Sequence, residues 1–229
     1  EKVGDIKDIE IRVGEKQKNL PIEIWVNKPN RVKLSIVSPS GEVIDNLEAK
    51  NTNNERIKFL YEGTEMIVNF TSPELSTGDS LIFIRAYNLK AGIWKFRLTG
   101  QSIVDGKYYA WIPQRELLDS ETKFLNSVGY TTLTLSSTSS GAISVAYYNQ
   151  DDNSVISESG RGYTRYGMIK PDIAAGGFNA IVTNPGGGTA VISGSSVAGA
   201  VVAGCCALIL QWAVVDKNYP DIYAAPIKS

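Results

Sequence analysis

The stretch Ile192-Ser193-Gly194-Ser195-Ser196-Val197-Ala198-Gly199, running on into apolar sequence from Ala200 to Val215, decides how this chain is read. A serine among small residues, at the head of a long Gly/Ala-rich helix, is where an acyl-transfer enzyme can hold a nucleophile. Small neighbours let a substrate backbone come close. The helix start offers unpaired N–H groups and a positive dipole end to a developing oxyanion. The chain contains no histidine, the usual base for a serine nucleophile. The stretch therefore suggests a hydrolase whose remaining machinery lies elsewhere.

The apolar run Val197–Val215 is long enough to cross a bilayer. It is rich in Gly and Ala, carries Gln211, and lacks flanking basic clusters or aromatic belts, so a buried central helix is expected and no membrane span. Cys205 and Cys206 are adjacent within it. Neighbouring cysteines bridge only with strain, so both are expected as buried reduced thiols. No targeting segment is legible.

Upstream the texture differs. Of the 23 Lys/Arg and 24 Asp/Glu, residues 1–130 hold 18 of each, leaving 5 and 6 for residues 131–229. A net charge of -1 gives no electrostatic reason to expect nucleic acid or an anionic membrane. Residues 1–113 read as eight short strands: 9–13, 22–26, 32–36, 57–60, 66–70, 81–86, 93–98 and 108–112. Val32, Leu34 and Ile36 alternate with Lys33 and Ser35; Trp94, Phe96 and Leu98 alternate with Lys95 and Arg97. Ser40-Gly41 and Asp105-Gly106 are hairpin signals. Eight strands at this spacing predict a β-sandwich, jelly-roll-like. Its acidic residues are scattered, with no catalytic or metal constellation, and Asn69-Phe70-Thr71 is a sequon of chance frequency.

Residues 114–130 read as a polar connector. Beyond it, 131–135 and 142–148 are strand candidates, followed by a loop over 149–167. Asp151-Asp152-Asn153 supplies too few oxygen ligands for calcium. The turn Lys170-Pro171-Asp172 leads into a strand at 173–175 and the pair Gly176-Gly177. Gly186-Gly187-Gly188 is followed by no Gly-Lys-Ser/Thr, so it reads as a hairpin or a substrate-side loop. No cofactor or metal is expected.

Three landmarks in this last third resemble the subtilisin-like serine proteases, in that family's order. Ile143-Ser144-Val145-Ala146-Tyr147 with Ser157-Glu158-Ser159-Gly160 looks like "vGA…FSS.G". Lys170-Pro171-Asp172-Ile173-Ala174-Ala175-Gly176-Gly177 looks like "KPDvvAPG". Ser193-Gly194-Ser195-Ser196-Val197-Ala198, with Ala203-Gly204 and Ala207-Leu208, looks like "sGTSmA.P.vAG..AL". The resemblance covers residues 131–215. Ser195 stands for Thr, Gly176 for Pro, and Ala200 and Val201 for the Pro and His after the nucleophile.

The resemblance implies that Ser196 is the nucleophile, with its own N–H as one oxyanion donor. The family's Asp, His and oxyanion Asn would precede Glu1, on an N-terminal part of the same protease. A sandwich ahead of this segment is similar to the clostridial germination (Csp-type) proteases, some of which have lost triad residues, and implies a secreted or spore-associated setting. The expected fold is mixed: a jelly-roll-like β-sandwich over 1–113, a connector over 114–130, and the C-terminal part of an α/β subtilisin-like catalytic domain over 131–229. The expected function is that of a serine endopeptidase acting on peptide or protein, in which this chain alone is inactive. The alternative is a catalytically silent relative used for binding or signalling.

Overall fold

The computed structural model of the chain describes residues 3–48 and 54–219; the outer ends of both expected domains, 1–2 and 220–229, lie outside these residues. The chain divides into two compact units, 1–127 and 128–229.

The first unit is built from strands β1 (Ile6–Val13), β2 (Leu20–Val26), β3 (Arg31–Val37), β4 (Val43–Leu47), β5 (Asn54–Phe59), β6 (Thr64–Thr71), β7 (Ser80–Tyr87), β8 (Gly92–Ser102), β9 (Tyr108–Trp111) and β10 (Lys123–Phe124). They form two five-stranded sheets, β10-β1-β8-β3-β4 and β5-β6-β7-β2-β9. Period-two alternation turns one face of each sheet inward. Leu20, Ile22, Ile24 and Val26 of β2 are buried, as are Met66, Val68 and Phe70 of β6 and Trp94, Phe96 and Leu98 of β8. These side chains form one continuous core between the sheets. Within it Trp94 meets Phe59 edge-on, ring centroids 5.0 Å apart, and donates its indole N–H to the Lys90 carbonyl at 2.9 Å.

All eight expected strands are present, within a two-sheet β-sandwich. Six of the nine successive connections change sheet, while β3–β4 and β5–β6–β7 stay within one sheet as local hairpins. Asp105-Gly106 is not a hairpin, since β8 and β9 belong to different sheets. Buried Asn30 organises that crossing instead, its Oδ1 accepting the N–H groups of Val104, Asp105 and Gly106. The first unit also runs past Pro113 through the expected connector. Lys123–Phe124 pairs with β1, and the Thr122 hydroxyl accepts the Gly14 N–H at 3.0 Å.

On β1 and β8, Asp8 lies directly opposite Arg97, and the two make a bidentate pair at 2.8 and 3.0 Å. The Arg97 guanidinium holds the Asp8 carboxyl below its ordinary value of 3.8. A depressed carboxylate contributes stability that is full above the unfolded pKa and lost as pH falls through the folded one. The unfolding midpoint is therefore expected to fall as pH drops below about 4. Asp8→Asn should make that acid limb shallower. An identical limb in the variant, measured by thermal scans across pH, contradicts the assignment.

The second unit holds β11 (Val145–Tyr148), β12 (Ile173–Gly176), β13 (Ala180–Thr183), β14 (Thr189–Ile192) and helix α1 (Ser195–Leu210), continued by a wide π-turn over Gln211–Val215. β11 and β12 pair in parallel; β13 and β14 form a hairpin closed by the glycine triplet. None of these strands joins the two sheets of the sandwich. Residues 131–135 are not a strand. Leu135–Thr138 is a 3-10 turn in which the Thr138 hydroxyl donates to the Leu135 carbonyl at 2.7 Å. Serine and threonine hydroxyls there compete with the backbone pairing a strand needs.

Candidate active site

The site is assembled where β12 ends and α1 begins. Gly194 N–H donates to the Gly177 carbonyl at 2.8 Å, docking the turn before α1 onto the end of β12. Gly177 itself continues the ladder, donating to the Tyr148 carbonyl at 3.2 Å. A Cβ at Gly177 would lie 2.8 Å from the Gly194 carbonyl oxygen, 3.1 Å from Tyr147 Cβ and 3.2 Å from Ala198 Cβ. Gly194 turns with φ +152°, a backbone that side chains disfavour. Two glycines thus allow the close approach that launches the helix. Beside them the Ser193 hydroxyl accepts the Asn179 N–H at 2.8 Å, holding the entry to the β13–β14 hairpin.

Ser196 is the second residue of α1 and is exposed, while Val197 and Ala198 behind it are buried, Ala198 against Tyr147 and Ala175. Packing thus fixes the helix start and leaves the serine outward. The Gly194 carbonyl takes the N–H groups of Val197 and Ala198 at 3.1 and 3.4 Å. Among the described residues the Ser196 N–H meets no acceptor and its hydroxyl has no hydrogen-bond partner. Such an N–H at a helix start can face an anion. Among the described residues no base is hydrogen-bonded to the hydroxyl, and the chain has no histidine to provide one.

The other motif residues have structural partners. Buried Ser159 accepts the Tyr147 N–H at 3.1 Å through its hydroxyl, tying 157–160 to β11. At Gly176 a Cβ would sit 3.0 Å from Gln150 Cβ. Gln150 in turn bonds both the N–H and the carbonyl of Phe178, so its side chain takes the space a larger residue at 176 would need. Buried Lys170 pairs with the partly exposed Asp172 just before β12, an arrangement the residue types alone did not reveal. Asn149, Asp152 and their neighbours satisfy a tight turn among themselves. No cluster suited to a metal ion occurs among the described residues.

The helix differs from expectation. Only Val197 and Ala198 of α1 are buried, whereas Leu208 and Ile209, and Trp212 in the turn beyond, are exposed. Cys205 and Cys206 are free, the first exposed and the second half-buried. The reason is length: strands of four residues each cover only the first turns of a 16-residue helix. By length and composition Ser195–Val215 passes as a membrane span.

Gly177→Ala is expected to destabilise the second unit by about 1–3 kcal/mol, since backbone blocks the new methyl group. Denaturant unfolding checks this; a wild-type midpoint would show that the β12–α1 contact is looser than described.

Residues 122–220 match the sequence profile of the subtilase family, peptidase S8. The chain is similar to the solved structure of the Clostridium perfringens CspB protease, with a TM-score of 0.86 and 27% identity over 96% of this chain. It covers 47% of that protein, so it spans about half the length of the relative it matches. Comparison with curated proteins returned no match. The chain thus holds a segment similar to the subtilase family and resembles a Csp-type, subtilisin-like protease.

Proposed function

We propose that this chain is the C-terminal part of a subtilisin-like serine endopeptidase, with Ser196 as the nucleophile. Ser196 would attack a peptide carbonyl, giving its hydroxyl proton to a histidine supplied by a segment N-terminal to this chain. An aspartate on that segment would orient the histidine. The oxyanion would be held by the Ser196 N–H and an asparagine of the same segment. The observation that carries this reading is the exposed serine at the start of α1, its N–H without an acceptor, on a turn fixed by Gly177 and Gly194.

The exposed apolar side of α1 supports the partner reading. Leu208, Ile209 and Trp212 lie open beside a two-stranded parallel sheet, which is too small to stand alone. Further strands and helices of the same catalytic domain would cover both. We therefore read the helix as a domain core element and not as a membrane span. The sandwich would contribute no chemistry: no cluster suited to a metal occurs among the described residues, and charges such as Lys95 with Glu10 and Arg97 with Asp8 pair across its strands.

The test is peptide turnover by the complete protein and by this chain alone. Turnover by the first and none by the second is expected. A folded complete protein with no turnover favours the silent, binding form of the fold; turnover by this chain alone overturns the division of the triad.

A further inference from the structure

The Lys170 ammonium is almost fully enclosed, its side chain 1% exposed. It lies 2.7 Å from Asp172 Oδ2 and donates to the Ala142 carbonyl at 2.8 Å. The same carboxylate oxygen accepts the Ser144 N–H at 2.7 Å, and the Ser144 carbonyl takes the N–H of Asp172 at 2.8 Å. Two chain segments, 142–144 and 170–172, are thus bound at one point by a positive charge held between oxygens. This is the arrangement by which a bound cation would join them, made here from a side chain.

An ion pair with one buried member is weak evidence for stability, because desolvation offsets the attraction; the best-attested use of such a pair is to fix register. Side-chain packing does little to set the register of this sheet, since Ala175 alone of β12 is buried. β12 reads Ile-Ala-Ala-Gly, with little side-chain packing to choose one alignment against Val-Ala-Tyr-Tyr. Slippage by one residue would exchange the faces of β12. It would also move Gly177 away from Gly194, the contact that places the start of α1. The clasp lies immediately before the first paired residues, Val145 and Ile173.

We propose that Lys170 is a positioning residue for Ser196: its ammonium, held by Asp172 and the Ala142 carbonyl, pins the β11–β12 register and thereby the turn that presents the serine. This rests on the reading of Ser196 as nucleophile. The effect passes along backbone, from the clasp through β12 to Gly177, Gly194 and the helix start. A serine displaced by a fraction of an ångström would still bind a substrate group nearby but would react more slowly.

The experiment measures labelling of Ser196 in the complete protein by a fluorophosphonate probe, separating the limiting rate from the half-saturating concentration. Lys170→Ala is expected to lower the limiting rate about tenfold or more with little change in half-saturation. Adding n-propylammonium, which restores the lost atoms and charge, should recover part of the rate. The neutral n-propanol should not, and neither compound should accelerate the wild type. Equal recovery by propanol would reduce Lys170 to a space-filler and overturn the proposal. If the alanine variant does not fold, Lys170→Met, which retains the bulk and removes the charge, is measured instead. A limiting rate within about twofold of wild type in either folded variant overturns it. A wild-type protein that takes no label overturns the nucleophile reading itself, a different result from a labelled wild type and an equally labelled variant.

Discussion

Ser196→Ala in the complete protein is expected to lower kcat on a short peptide by roughly 10³- to 10⁶-fold, with KM little changed. The size follows from what alanine removes. The covalent step disappears, while the backbone N–H at the helix start and the substrate contacts remain. The fold should be intact, because Ser196 is exposed and its hydroxyl makes no hydrogen bond among the described residues. The unfolding midpoint should therefore stay within the range of an ordinary surface substitution, about 0.5 kcal/mol. This combination separates catalysis from packing. A large loss of stability would mean that the serine serves as a structural cap; retained turnover would place the nucleophile elsewhere.

Trp94→Ala is expected to give the largest stability loss in the sandwich, about 3–5 kcal/mol. The ring is fully buried near the start of β8, packs edge-on against Phe59, and its N–H is bonded to the Lys90 carbonyl. Removing it opens a cavity between the two sheets and leaves that carbonyl without its partner. Denaturant unfolding of the full chain should show an early transition for the first unit. A shift under about 1 kcal/mol would contradict a single core shared by both sheets.

Much of the sandwich was legible because its signal is local. Trp94, Phe96 and Leu98 alternate with charged residues, and burial follows that alternation. The strand order was not legible, since sheet membership depends on long-range pairing that alternation does not encode. β4 and β10 were missed for a related reason. Val43–Leu47 interrupts its pattern with Asp45 and Asn46, and Lys123–Phe124 is two residues long.

At the site, the helix start that presents Ser196 was legible from its small residues, and glycines at 177 and 194 allow the close contact there. The burial expected of Cys205 and of the rest of α1 failed because hydrophobicity predicts that a surface will be covered without naming the cover. The Lys170–Asp172 clasp was hidden for the opposite reason. A Lys-Pro-Asp triplet reads only as a turn into a strand until the Ala142 carbonyl is found 2.8 Å from the ammonium.

The most direct test of the central claim is to treat the complete protein with a fluorophosphonate probe and locate the adduct by peptide mass spectrometry. The account predicts one adduct, on Ser196, absent after Ser196→Ala and absent when this chain is treated alone. An adduct on another residue, or none on a folded protein that turns over peptides, would contradict it.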